Sequence, residues 1–204
     1  MKGAQIASVS DLLDLLAPRL VDESQTITQD TRCWAKWYGG DTWYAKELGS
    51  DPVHDRKPDE HFRLLFRKLP EFRSLFDYRC HGDPTLVQIA GAVPTAPRAT
   101  ELHLRAGSIG PRCRIQHGHN ARVSAESIGS DFFVSHNVTI GWAHGQRPTI
   151  GNRVAILVGA VVAGGITIGD DVTIGPNAVV NFDIPSGAKV YAQRPHVKLP
   201  ALER

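Results

Sequence analysis

Histidines near the middle of the chain are the side chains best suited to chemistry. Two of them lie in the segment Gln116-His117-Gly118-His119, and His136 follows. An imidazole titrates near neutral pH, so it can take a proton from a hydroxyl group and later return it to a leaving group. It is also a common zinc ligand. This pattern therefore predicts either acid–base catalysis or a metal site.

A second candidate segment, Trp142 to Thr149 (WAHGQRPT), shares one property with the first: both interrupt a regular repeat. Aliphatic residues recur mostly every six residues, but Ala121 to Ile128 is a step of seven and Ile140 to Ile150 a step of ten. The ladder is Ile109, Ile115, Ala121, Ile128, Val134, Ile140, Ile150, Ile156, Val162, Ile168, Ile174 and Val180. A second ladder, four residues on, is Phe132, Val138, Val154, Ala160, Ile166, Val172 and Ala178.

A six-residue period excludes a helix and is typical of a parallel β-helix, in which each unit forms a short strand and a corner. Inward-facing Val and Ile stack between coils about 4.8 Å apart. Asn152, Asp170-Asp171 and Asn177 are permissive enough for corners. The repeat predicts a left-handed parallel β-helix of about four coils, over residues 109–127, 128–149, 150–167 and 168–185. One coil separates the two interruptions, so they can face a common cleft.

The chain before the repeat has a helical pattern. Thr28 is a candidate cap for a helix that ends at Gly39-Gly40, and Pro58 suits a helix N-terminus. Pro70 starts another helix, with Phe72, Leu75, Phe76 and Cys80 on one face. We expect a helical region over 1–91, a β-helix domain over 98–190 and a tail over 191–204. The helices are expected to cover one end of the β-helix or to drive assembly.

Composition narrows the classes of function. A net charge of +2 argues against a nucleic-acid-binding protein. Three cysteines without a closely spaced pair argue against a disulfide framework or a zinc ribbon. No apolar run approaches the roughly 20 residues of a membrane span, and the N-terminus lacks a signal peptide's apolar run. We therefore expect a cytoplasmic protein with no membrane span.

Several blocks resemble the serine acetyltransferase family of hexapeptide-repeat acyltransferases. They are IGPRCRIQHGHN, VSHNVTIG, RPTIG, ITIGDDVTIGPNAVV and the helical PEFRSLFDYR, and the resemblance spans roughly residues 58–195. It implies acetyl transfer from acetyl-CoA to a hydroxyl, without a metal. It also implies a homo-oligomer, a trimer or a dimer of trimers.

The resemblance implies roles for individual residues. His117 matches the family's general base, and Glu101 best matches the carboxylate that orients it, with one extra residue in the spacing. The alternative is that His117 is a partly exposed corner residue and that Glu101 caps a linker. Val158, Gly159, Pro176 and Asn177 match positions whose backbone lines the CoA groove. Arg194 and Lys198 are either contacts to CoA phosphates or ordinary surface charges.

Departures from the family concern the acceptor. Gln116 stands where the family usually has Asp, and Gln146-Arg147-Pro148 replaces Arg-His-Pro. A neutral amide suits a sugar hydroxyl better than an ammonium group. The acceptor contacts predicted here are Gln116, Trp142, His144 and Arg147, with a sugar or polysaccharide hydroxyl slightly favoured. A further acceptor carboxylate has three candidates, Asp51, Asp55 and Asp59.

Three alternatives stay open. The first is serine O-acetyltransferase of cysteine biosynthesis. The second is a metal-dependent protein like the β-helical carbonic anhydrases, with His117, His119 and His136 as ligands, although their spacing departs from that pattern. The third is a scaffold without catalysis.

Overall fold

The computed structural model describes residues 24–39, 57–80 and 99–194, together with Ser10, Asp11, Asp14 and Leu16 near the N-terminus. The acceptor candidates Asp51 and Asp55, the predicted boundary between 91 and 98, and Lys198 lie outside the described residues. No helix in the described ranges is both long enough and apolar enough to cross a membrane.

Within residues 24–80, the described part of the chain includes three helices before the β-helix: α1 (Thr26–Tyr38), α2 (Pro58–Lys68) and α3 (Pro70–Arg79). The proline at the start of α2 and of α3 lacks the N–H that a first helical turn would leave unbonded. The predicted cap at Thr28 is wrong: α1 begins two residues earlier, after Gln25, and no side chain caps it. Thr28 instead lies within the first turn with its side chain fully buried.

Aromatic side chains hold the helices together. Phe62 stacks on Phe66 with ring centroids 5.2 Å apart, and both meet the edge of Phe76 at 5.4 and 5.2 Å. Phe72 packs edge-on against Phe62 and, at 5.4 Å, against Trp34 of α1. All five rings are buried, as the apolar spacing predicts.

Thirteen short strands in the described part of the chain form three parallel sheets, with orders β1-β3-β6-β9-β12, β4-β7-β10 and β2-β5-β8-β11-β13. The strands are β1 (Leu102–Leu104), β2 (Arg114–Ile115), β3 (Ala121–Val123), β4 (Ser127–Ile128), β5 (Phe133–Val134), β6 (Thr139–Gly141), β7 (Thr149–Ile150), β8 (Ala155–Ile156), β9 (Val161–Ala163), β10 (Thr167–Ile168), β11 (Thr173–Ile174), β12 (Val179–Val180) and β13 (Lys189–Val190). Successive strands belong to different sheets, so the chain winds as a parallel β-helix. Every residue of both aliphatic ladders is buried inside it.

The β-helix has about five coils rather than four. Its first coil starts at Leu102, before Ile109, and its last ends at Val190. One ladder position was also misassigned: Val123, not Ala121, pairs with Ile140. Ala121 lies two residues earlier and is level with Val138 of the second ladder. Both errors arise where the spacing departs from six, because counting along the chain cannot locate an inserted residue.

A buried ion pair between Asp30 and Arg79 connects the helices to the first coil. Asp30 is 2% exposed and accepts a 2.8 Å bond from Arg79 Nε and a 3.1 Å bond from the Cys113 N–H. Arg79 also donates to the Gly110 carbonyl at 2.7 Å, and Trp34 Nε1 donates to the Cys113 carbonyl at 2.6 Å. Burial raises the pKa of Asp30, while Arg79 and the neighbouring N–H groups oppose that effect. The helices therefore cover the first coil.

Charged pairs line one corner of the β-helix. Arg112, Asp131, Arg153 and Asp171 take up successive corners, each with a positive φ between 55° and 60°. Arg112 binds Asp131 through two 2.7 Å bonds, and Arg153 binds Asp171 at 2.6 and 2.8 Å. The predicted corner residue Asp171 is confirmed, whereas Arg153 and not its neighbour Asn152 has the left-handed conformation.

Candidate active site

His117 lies in a corner of the first coil that is two residues longer than the same corner of the second. Before the corner, Ile115 pairs with Val134, and after it, Arg122 pairs with Thr139. The path between these pairs takes seven residues in the first coil and five in the second. The interruption near His117 is therefore an insertion in the corner itself, which projects beyond the regular stack.

The backbone of this insertion is unusual. His117 has a φ of +59° and Gly118 a φ of +32°, and the His119 N–H bonds back to the His117 carbonyl. A Cβ on Gly118 would lie 2.9 Å from Cγ of Glu71, so a side chain has no room there. The His117 side chain is exposed. The φ of His117 matches that of the regular corner residues Arg112 and Asp131, so the added length of the corner, not the φ, distinguishes this position.

A second histidine stands beside His117. The ring centroids of His117 and His136 are 5.9 Å apart in an edge-to-face arrangement. Ser135, 4% exposed, places its Oγ 3.2 Å from Nδ1 of His136 and 3.4 Å from Oε1 of Gln116. Since a carbonyl oxygen only accepts, the hydroxyl donates to Gln116 and can accept a hydrogen bond from Nδ1–H of His136. The sequence offered no signal for this network beyond the presence of His136.

Glu101 contacts His119 rather than His117. Its Oε2 lies 3.9 Å from Nδ1 of His119, with both side chains well exposed. Strand register explains why Glu101 reaches His119: Leu102 pairs with Ala121, which places the preceding Glu101 beside the end of the insertion. The two side chains line a cleft of about 280 Å³ together with Pro70, Glu71, Ala99, Thr100 and Gly118.

The second interruption is a tight hairpin turn. Ala143 and Gln146 exchange two 3.1 Å backbone bonds around His144 and Gly145, which have φ values of +51° and +76°. Trp142 is 60% exposed at its start. The sequence could place this insertion but not its conformation.

Arg147, at the end of that turn, is already engaged within the chain. It donates to Oε2 of Glu126 at 3.0 and 2.7 Å and to the Arg105 carbonyl at 3.3 Å. Its guanidinium also lies 5.1 Å from the centre of the Trp142 ring. The predicted acceptor contacts Trp142 and Arg147 therefore touch each other, and Arg147 already binds one carboxylate within the chain.

One sheet face joins the two interruptions. The insertion at His117 immediately precedes β3, and the turn starting at Trp142 immediately follows β6, which pairs with β3. The interruptions thus lie at opposite edges of the same sheet. The groove between them has a volume of about 300 Å³ and is lined by His103, Arg105, Arg122, Val123, Ser124, Thr139, Ile140, Gly141 and Trp142.

The predicted CoA-binding residues lie along the edge where His117 stands. The Gly159 N–H donates to the His136 carbonyl at 3.3 Å, and the Asn177 N–H donates to the Val158 carbonyl at 2.9 Å. Gly159 has a φ of +72°, and a Cβ there would collide with Oδ1 of Asn177. Successive corners stack about 4.8 Å apart, so they form a continuous edge. The aligned residues are Val158, Gly159, Pro176 and Asn177. Arg194 is exposed near the end of the described chain.

Metal binding is the alternative role predicted for His117, His119 and His136. Among the described residues, no group of three or more His, Cys, Asp or Glu side chains is arranged to hold a metal ion. The metal-dependent alternative thus lacks a ligand set in this part of the chain.

The repeat and the parallel coils define a class, the hexapeptide-repeat β-helix. The family model described as bacterial transferase hexapeptide (six repeats) matches residues 147–181. Native serine acetyltransferase 1 from Entamoeba histolytica shares the fold, with a TM-score of 0.55, 23% identity, and coverage of 89% of this chain and 68% of that one. These matches agree with the predicted left-handed β-helix preceded by helices.

Two relatives with higher sequence identity are both named as acetyltransferases. The chain is 44% identical over 93 residues to serine acetyltransferase of Helicobacter pylori (strain 26695), covering 43% of this chain and 54% of that protein. It is 35% identical over 98 residues to WcaB of Escherichia coli K12, named as a colanic acid biosynthesis acetyltransferase, covering 46% and 60%. The match thus spans little more than half of each relative. The β-helical domain is thus similar in sequence to parts of both acetyltransferases.

Proposed function

We propose that this protein is an acetyl-CoA-dependent O-acetyltransferase with His117 as its general base. One observation carries the proposal: an exposed histidine projects from an enlarged corner, at the start of the edge where the four predicted CoA residues align. The similarity to a serine acetyltransferase and to a colanic acid biosynthesis acetyltransferase supports the same class of reaction.

The chemistry requires a group that takes up and returns one proton. His117 takes the proton of the acceptor hydroxyl as its oxygen attacks the thioester carbonyl carbon of acetyl-CoA. The tetrahedral intermediate then breaks its C–S bond, and the imidazolium gives the proton to the leaving thiolate. The products are the acetyl ester and free CoA.

The neighbours of His117 position the reaction. The His136 ring lies against the His117 ring. Ser135 is hydrogen-bonded to both His136 and Gln116, and these bonds orient the His136 ring. Glu101 remains our candidate for a carboxylate that stabilises the imidazolium. Within one chain its contact is with His119, so this role requires the Glu101 side chain to turn towards His117, and both side chains of the present contact are exposed.

We favour a sugar or polysaccharide hydroxyl as the acceptor. An amino acid needs a carboxylate for its ammonium and a free cation for its carboxylate. Here the neutral Gln116 precedes the base, and Arg147 is already bonded to Glu126. Trp142 is exposed beside a groove with exposed polar residues, which suits an extended hydroxyl-rich acceptor. His144 lies in the same turn.

Serine O-acetyltransferase is the second candidate. The 44% identity to the Helicobacter pylori serine acetyltransferase favours it. It would require Arg147 to bind the carboxylate of serine, either beside Glu126 or in its place, and the Glu126 side chain is 64% exposed and so able to move.

The fold also suggests how copies of the chain assemble. The flat outer faces of a β-helix pack readily against copies of themselves, so we propose a homotrimer or a dimer of trimers. A cytoplasmic location would give the protein access to acetyl-CoA.

A thiol-release assay tests the proposal. Acetyl-CoA is incubated with the full chain and L-serine, homoserine, free sugars, nucleotide sugars or oligosaccharides, and released CoA is measured together with the acetylated product. We expect thiol release with a carbohydrate acceptor. Release with L-serine alone would select the second candidate, and a chain that neither binds acetyl-CoA nor releases thiol would be a scaffold.

A further inference from the structure

The sheet face that joins the two interruptions carries a row of outward side chains. Strand register pairs His103 with Arg122 and Arg122 with Thr139, so these residues lie side by side on β1, β3 and β6. Side chains alternate along a strand, and Ala121 and Val123, on either side of Arg122, are buried. The row therefore faces outward, into the groove of about 300 Å³ described above.

Two arginines make the groove basic along β1 and β3. Arg105 and Arg122 are exposed, and within the described ranges neither side chain has a hydrogen bond or an ion pair. The Arg147 guanidinium binds both the Arg105 carbonyl and Glu126, so this nearby carboxylate is engaged by a third arginine. The donors of Arg105 and Arg122 are therefore available to a ligand.

The rest of the groove suits a carbohydrate. Ser124 and Thr139 line it with hydroxyl groups, which both donate and accept hydrogen bonds. Gly141 has no side chain, and a Cβ there would meet no atom within 4 Å, so the groove is open at the end of β6. Trp142, 60% exposed, adds a flat apolar ring on which a sugar ring can lie.

The groove starts near the candidate base and leaves the edge predicted for CoA free. The corner that holds His117 ends at Asn120, and Arg122 follows two residues later, or roughly 7 Å along the strand at about 3.3 Å per residue. The predicted CoA residues Gly159 and Asn177 instead continue the corner edge into later coils. An acceptor in the groove can therefore place a hydroxyl at His117 and an anionic group at Arg122 while CoA occupies that edge.

We propose that this groove binds an acidic carbohydrate as the acetyl acceptor, with a carboxylate or phosphate on the sugar held by Arg122 and Arg105. The inference rests on the proposed function, because it takes the ligand of the groove to be the acceptor. A guanidinium offers paired donors that match carboxylate and phosphate oxygens, and such charge-assisted hydrogen bonds are the strong ones. The transfer itself is unchanged: the sugar hydroxyl loses its proton to His117 and gains the acetyl group, and the CoA thiolate takes the proton.

Isothermal titration with trigalacturonate tests the groove without an activity measurement. We expect a Kd of about 1 mM or tighter, and binding about tenfold or more weaker for its methyl ester, which has the same sugar rings without the charge. Arg122→Gln should weaken binding of the acid by about tenfold and leave that of the ester unchanged. Arg122 is exposed, so its variant keeps the fold. Arg67→Gln, an exposed position at the end of α2 and outside the groove, is the matched control and should bind like the wild type.

Glucose 1-phosphate, titrated in the same way, identifies the anion. Tighter binding of glucose 1-phosphate supports a sugar phosphate as the acceptor, and tighter binding of trigalacturonate supports a sugar carboxylate. Three results would overturn the proposal: no binding of either anion at millimolar concentration, equal affinity for the acid and its ester, or equal weakening in Arg67→Gln and Arg122→Gln.

The thiol-release assay separates this inference from the proposed function. Release with a neutral sugar, by a chain that binds the acid and its ester equally, would overturn the acidic acceptor and leave the proposed function standing. Binding of trigalacturonate by a chain that releases no thiol with any acceptor would overturn the proposed function and, with it, the acceptor role of the groove.

Discussion

Removing the Asp30 carboxylate should be costly, because this group joins the helices to the β-helix. Its side chain is 3% exposed, its partner Arg79 is 11% exposed, and Asp30 also accepts the Cys113 N–H. Removing one partner of a buried ion pair costs about 3–5 kcal/mol. Arg79 keeps its bonds to the carbonyls of Ile109 and Gly110. We therefore expect Asp30→Ala to cost about 3 kcal/mol, at the low end of that range.

Urea unfolding followed by circular dichroism measures this loss. Asp171→Asn is the control, because it removes the charge of an exposed bidentate pair, whose side chains are 51% and 55% exposed, and Asn tolerates the left-handed backbone at this corner. An exposed pair contributes about 0–1 kcal/mol. Equal losses in the two variants would refute the reasoning that burial sets the cost. A double variant, Asp30→Ala with Arg79→Met, should recover part of the loss, because no buried charge is then left without its partner.

Three further predictions concern the site and its surroundings. Gly118→Ala should lower kcat about tenfold or more by shifting the insertion, since a 1 Å misplacement can cost about 10²-fold. Gly187→Ala is the control in the same thiol-release assay, because Gly187 also has a positive φ, its Cβ would meet open space, and it lies outside both interruptions. His136→Ala should lower kcat/KM with little change in the urea midpoint, and an unchanged kcat/KM would exclude the positioning role. Arg112 lowers the pKa of Asp131 below its unfolded value of about 3.9, so the ionised carboxylate stabilises the fold above that pH and stops doing so as the pH falls through the lower folded pKa. The difference in unfolding free energy between the wild type and Asp131→Asn should therefore shrink as the pH falls through this range. A difference that is independent of pH would contradict the prediction.

The sequence predicts the scaffold well because its signal is physical repetition. Every six residues an inward position must hold a side chain that fits between the coils above and below, so the ladders from Ile109 to Val180 appear in the sequence itself. The sequence pattern did not predict the first coil, because Leu102 and Leu104 precede the regular six-residue spacing. Ala121 was misplaced because the two residues inserted at the corner shift the count.

The candidate site is less predictable because it depends on contacts between distant residues. The histidine motif identifies His117, but the bonds of Arg147 to Glu126 span 21 residues and follow from the path of a turn. The contact of Glu101 with His119 follows from strand register rather than from spacing.

The most direct test of the central claim compares thiol release by His117→Ala and His119→Ala. Both are exposed histidines in the same corner, two residues apart, so the pair separates a catalytic role from general disturbance of the insertion. If His117 is the base, its variant should lose about 10²–10⁴ in kcat while His119→Ala keeps most of its activity. Turnover close to that of the wild type in His117→Ala would contradict the account.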